Sequence, residues 1–113
     1  MADQPDFDSA RVDREKIIDY LLGSSSFASV AKARFFGSLG FSPERWEELA
    51  QGLRAQAKGA SLTAAESPWG RKHIAVGEID APNGRRYKIV SVWIEEAGTL
   101  RLVTAYPSKE PSE

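Results

Sequence analysis

The chain is 113 residues long, 42% hydrophobic and 10% aromatic, enough for one packed core and no more. It has no cysteine, which excludes disulfides, thiolate metal sites and a cysteine nucleophile, and its formal net charge of −1 argues against a protein that coats nucleic acid by charge alone. No apolar stretch approaches the roughly 20 residues a membrane-spanning helix needs and no apolar region follows a basic N-terminus, so the expected location is the cytoplasm, without membrane insertion or a cleaved signal.

Residues 1–11 are polar, acidic and aperiodic, and read as a mobile tail. Asp13 suits the cap of a first helix in which Ile17, Ile18, Leu21 and Leu22 recur at helical spacing, ended by Gly23 and three serines. A second helix is expected over Val30 to Leu39, closing at Gly40. Ser42-Pro43-Glu44 opens a third: Ser42 at the cap, Pro43 with its preset φ at the first helical position, and Glu44 and Glu47 at the positive end of the dipole. Trp46, Leu49, Ala50 and Leu53 form its apolar stripe, which fades before Gly59.

From Ala60 the period shifts towards two. Strands are expected over Leu62 to Glu66, Lys72 to Ile79, Arg86 to Glu95 and Leu100 to Tyr106. They are separated by the turn signals Pro68-Trp69-Gly70, Ala81-Pro82-Asn83-Gly84 and Glu96-Ala97-Gly98-Thr99. The expected fold is α+β: about three N-terminal helices packed on a C-terminal four-stranded antiparallel meander, one domain over residues 12–107 followed by a tail at 108–113. Along the third strand, alternation sends Tyr87, Ile89, Ser91 and Trp93 to one face and Arg86, Lys88, Val90, Val92 and Ile94 to the other. One face packs on helices; the other is a shallow surface of aromatic and basic groups where a ligand is expected.

Charge is unevenly spread. The first twenty residues are rich in aspartate, whereas Arg71, Lys72, Arg85, Arg86 and Lys88 gather around only Glu78 and Asp80. Such a patch suits a stretch of RNA, and it equally suits strand-edge cations that discourage sheet aggregation.

The segments Lys32-Ala33-Arg34-Phe35-Phe36, Leu39-Gly40-Phe41-Ser42-Pro43 with Trp46, Trp69-Gly70, Val92-Trp93-Ile94 and Arg101 to Pro107 occur in an order that resembles an uncharacterised small bacterial domain family, domain of unknown function 6883, over about Lys16 to Pro107. The loop from Gly23 to Ser29 departs from that family's pattern. The helix-then-meander layout is also similar to metal-independent ribonuclease toxins of the barnase, EndoU, colicin and RelE type, in which a sheet presents basic and hydroxyl residues to RNA. Fold alone does not set function.

That second resemblance implies chemistry with definite needs: a base for the 2′-hydroxyl, an acid for the leaving 5′-oxygen, and cations for the charge developing on phosphate. The expected catalytic residues are His73, the only histidine, with Lys32, Thr104 and Tyr106; Arg71, Arg86, Lys88 and Arg101 are the expected phosphate contacts. Plainer accounts stand beside each: a packed histidine, a solvated lysine, and Thr and Tyr as good strand formers. No metal or cofactor is expected, since no Gly-rich phosphate loop follows a strand and one histidine without cysteine makes a poor zinc site. Glu44, Glu47 and Glu48 read as a solvated helix face, and Ser24-Ser25-Ser26 as a loop.

The leading expectation is a toxin-type, RNase-like domain whose partners are RNA and a small neutralising protein. The alternative is a non-catalytic interaction domain of antitoxin, immunity or adaptor type, and a third arrangement pairs sheet edges in a homodimer. A basic cleft holding Lys32, His73 and Thr104 would favour the enzyme, and a flat apolar face built from Trp93, Val90 and Val92 the binder.

Overall fold

The computed structural model describes residues 5–17 and 27–108. Two α-helices, α1 (Phe27–Ser38) and α2 (Trp46–Lys58), precede four strands: β1 (Ser61–Ser67), β2 (Gly70–Asp80), β3 (Arg86–Glu96) and β4 (Thr99–Pro107). The strands pair antiparallel in chain order, so the fold is α+β with the expected meander.

Pro43 starts the second helical segment as the sequence requires, through a 3-10 turn (Pro43–Arg45) that runs into α2. Ser42 is extended there but makes no side-chain capping bond. Leu49, Ala50, Leu53, Gln56 and Ala57 are buried at i, i+1, i+4, i+7 and i+8, the spacing of one helical face. Gly40, at φ +107, ends α1 in a conformation that disfavours a Cβ. The Leu39 carbonyl there accepts the Asn83 amide (3.1 Å), tying α1 to the β2–β3 turn.

Two expectations need correction. The described residues hold two α-helices, not about three: of the expected first helix only residues 14–17 are described, and they are helical, while the rest, from 18 on, lies outside the described part of the chain. At its expected start the Asp13 carbonyl accepts from the Ile17 amide (3.3 Å), but the Asp13 carboxylate receives Arg11 Nε at 2.6 Å, so the expected capping group is engaged backwards along the chain. The segment read as a mobile tail is, from Pro5 on, built into the fold. Phe7 is buried, its ring edge-on to Trp93 with centroids 5.3 Å apart, and Ala10 joins the same core. Arg11 bonds the β4 backbone twice, through Leu100 O and Leu102 N. At the other end the Ser108 amide still donates to Lys88 O (3.0 Å), and residues 109–113 lie outside the described part.

One face of the sheet takes the core. His73, Ala75 and Ile79 of β2, Ile89, Ser91 and Trp93 of β3, and Leu100, Leu102 and Ala105 of β4 are buried there with Phe36, Leu49 and Leu53 from the helices. A polar chain runs through this core. Trp93 Nε1 donates to Ser91 Oγ (2.8 Å), Ser91 Oγ donates to Gln56 Oε1 (2.6 Å), and Gln56 Nε2 donates to the carbonyls of Ala75 and Ile89 (3.1 and 3.2 Å). Every member is satisfied, so the chain fixes where α2 sits on the sheet without leaving an orphaned polar group.

Candidate functional site

The other face of the sheet, the open face, carries no helix or strand among the described residues. The buried apolar residues of both helices join the core described above, so among the described residues neither helix covers this face. Across it run Lys72, Ile74, Val76, Glu78 and Asp80 of β2 and, opposite them, Ile94, Val92, Val90, Lys88 and Arg86 of β3. Val90, Val92 and Ile94 are buried but stand outside the main core cluster. They form a second, smaller apolar layer under the open surface.

A β-bulge decides what β4 contributes. Val92 lies opposite Thr104 and Trp93 opposite Leu102, which leaves Val103 without a partner in the ladder. Strict alternation would send Arg101 and Thr104 to opposite faces. With one extra residue between them, Arg101 opposite Ile94, Thr104 opposite Val92 and Tyr106 opposite Val90 all join the open face, while Leu100, Leu102 and Ala105 stay in the core.

At the β1–β2 end of this face lies a groove of about 350 Å³, lined by Ser67, Trp69, Lys72, Val92, Ile94, Arg101 and Val103. Its floor is aliphatic, and Lys72 and Arg101 flank it. Among the described residues neither cation has a carboxylate within 4.0 Å. Trp69 is 68% exposed, and it is held by its turn rather than by the core. Ser67 Oγ donates to the Gly70 carbonyl (2.7 Å) and accepts the Trp69 amide (3.3 Å), and Pro68 restricts φ between them. Gly70, at φ +132, closes the turn against β3, where an added Cβ would collide with the Glu95 carbonyl oxygen.

The residues expected to form a site do not all meet. Thr104 and Tyr106 share the open face with Arg101, Lys88 and Arg86. His73 does not: it pairs with Trp93 on the helix-facing side, is 5% exposed, and has Nε2 2.9 Å from Glu95 Oε1. Lys32 is on α1, one helical turn before Phe35, whose ring meets Tyr87 at 6.2 Å. Tyr87 pairs with Ile79, six residues along β2 from His73, or about 20 Å at strand rise. A cleft combining Lys32, His73 and Thr104 is therefore not formed. Trp93, named for the flat apolar face, is in the core instead, and Val103 and Ile94 complete that face with Val90 and Val92.

The four basic candidates also differ. Arg86 Nε is 2.8 Å from Asp80 Oδ1 and Arg71 Nε is 3.1 Å from Glu66 Oε2, both pairs exposed. Lys88 faces Glu78 across the ladder, and Arg101 borders the groove. Sequence reading placed Lys72 in the basic patch without naming it as a phosphate contact, and it missed Trp69, Ser67 and Val103 as groove residues. The available signal was Pro68-Trp69-Gly70, a tryptophan in a turn too short to fold back on the core. Among the described residues no three His, Asp or Glu side chains gather as a metal ion would need, and no helix there is long and apolar enough to cross a membrane.

The family model "Domain of unknown function (DUF6883)" matches residues 4–109, so the chain belongs to that family. No curated protein matches the chain. Among solved structures, a chain of a contact-dependent growth inhibition toxin and immunity protein complex from Klebsiella pneumoniae 342 is similar in fold, with TM-score 0.73 and 19% identity over 92% of this chain and 97% of that one.

Proposed function

We propose that this member of the DUF6883 family is a toxin-type, RNase-like domain that engages cytoplasmic RNA across the open face of its sheet and is held in check by a small protein competing for that face. The observation that carries this reading is the pair Lys72 and Arg101, without carboxylate partners among the described residues, on one face with Trp69, Thr104 and Tyr106. Cations left uncompensated beside an exposed indole suit an anionic, aromatic polymer. The fold likeness to a chain of a toxin and immunity protein complex supports membership in such a pair.

In this reading the phosphodiester lies along β4. The RNA's own 2′-oxygen attacks phosphorus and gives its proton to solvent water, while the 5′-oxygen leaves with a proton from the Tyr106 hydroxyl, on a residue 37% exposed. Arg101 and Lys72 offset the charge developing on the phosphoryl oxygens, and Thr104 positions one of them. His73, buried on the other face against Glu95, is a structural brace and not the base. Lys32 is remote from this chemistry.

A second reading, a non-catalytic interaction domain, is favoured by the continuous apolar layer of Val90, Val92, Ile94 and Val103, which resembles the core of a protein interface. RNA cleavage in excess chelator separates the two. Loss of cleavage in Tyr106→Phe and Arg101→Ala at unchanged melting temperature supports the toxin reading. No cleavage of any RNA by the wild-type chain moves the weight to the interaction domain.

A further inference from the structure

We infer that the groove between Trp69 and Arg101 is a subsite for one unpaired nucleotide, with its base on the Trp69 indole above Val92, Ile94 and Val103 and its phosphate held by Lys72 and Arg101. The inference deepens the RNA reading above and rests on it.

Size, shape and charge each narrow the occupant. About 350 Å³ is at the lower end of small-molecule sites, roughly 300–1,000 Å³, which suits a single nucleotide. A base inside a duplex is already stacked on both sides and cannot offer its face to an indole on a hairpin tip, so the occupant is single-stranded. An apolar peptide side chain would fill the aliphatic floor but cover two cations without supplying a counter-charge. A nucleotide meets all three needs at once: a flat π-face, an apolar edge and an anion.

The turn is built to present the indole. Pro68, the two Ser67 hydroxyl bonds and the close approach of Gly70 to Glu95 O restrict the segment on both sides of Trp69. Little conformational freedom remains to be lost when a base stacks, which favours binding. On the opposite wall, the bulge at Val103 turns Arg101 to this face, so both walls of the groove depend on local backbone devices and not on regular sheet geometry.

The test uses the full chain and a short 2′-O-methyl single-stranded oligonucleotide, which cleavage through the 2′-hydroxyl cannot destroy, beside a blunt duplex of the same length. Affinity is measured for wild type, Trp69→Ala, Trp69→Phe, Lys72→Ala, Arg101→Ala and, as a control at an exposed residue of the Pro43–Arg45 turn, Arg45→Ala, each checked for an unchanged melting temperature. The expected result is preference for the single strand. Trp69→Ala should weaken binding roughly 5- to 150-fold, the worth of one stacked base, with Trp69→Phe restoring most of it. Lys72→Ala and Arg101→Ala should each lower the salt-dependence slope by about 0.7, and Arg45→Ala should change nothing. Binding of the single strand equally by all variants would overturn the subsite and leave the RNA reading standing. No binding of either oligonucleotide would overturn both.

Discussion

Arg101 and Thr104 are three positions apart in β4 yet face the same side of the sheet, because Val103 between them has no partner in the ladder. Removing Val103 would set Arg101 and Thr104 two positions apart, so regular alternation would by itself keep Leu100, Leu102 and Ala105 in the core and Arg101, Thr104 and Tyr106 on the open face. The deletion removes one half-buried valine and no core residue, so it is expected to cost no more than about 1–3 kcal/mol in urea unfolding. The folded variant should keep Lys72 and Arg101 at the groove and lose only the Val103 part of its aliphatic lining.

The buried chain from Gln56 through Ser91 to Trp93 predicts an outsized cost for a small change. Ser91→Ala removes one hydroxyl but leaves both Trp93 Nε1 and Gln56 Oε1 without their partner. At about 1–3 kcal/mol for each orphaned group, the variant should lose roughly 2–4 kcal/mol, while an exposed serine such as Ser61 changed to Ala should lose less than about 0.5 kcal/mol. Chemical denaturation of the two variants in parallel decides it.

The tight β3–β4 turn carries removable strain. Ala97 adopts φ +53 and Gly98 φ +82, both positive, as a two-residue hairpin turn requires. Alanine is poorly suited to that position and asparagine or glycine well suited. Ala97→Asn is expected to stabilise the chain by about 1 kcal/mol and raise the melting temperature by several degrees.

His73 and the open face are separable by mutation. His73→Gln should destabilise by about 1–3 kcal/mol through the altered contact with Glu95, yet leave RNA cleavage per folded molecule within about twofold of wild type. Tyr106→Phe should do the reverse, with stability nearly unchanged and cleavage falling about 100-fold, the usual worth of one general acid. Activity normalised to folded protein, read by circular dichroism, separates the effects. A His73→Gln protein that is folded but inactive would remove the open face as the reaction centre.

Much of the fold was legible before any coordinates. All four strands lie within two residues of their expected ends, since alternation in β2 and β3 and the three turn signals agree on one meander. Gln56 was legible in principle: it continues the stripe of Leu49 and Leu53 at the next helical position, where an amide among apolar residues marks a buried network. Phe7 was not. A single aromatic in an acidic segment has no period, and only the Trp93 ring against which it packs gives it a place.

The sequence by itself determined the elements, because propensity, turn chemistry and side-chain period act over a few neighbouring residues. It also determined that β3 is apolar on both sides, and so that one face of the sheet would be left with apolar groups outside the helical core. Which cations and hydroxyls gather on that face was decided only in three dimensions. One unpaired residue in β4 reverses the parity of everything beyond it, and strand pairing carries His73 to the side of the sheet away from Thr104 and Tyr106. Register is a property of two strands together, and no single strand's pattern contains it.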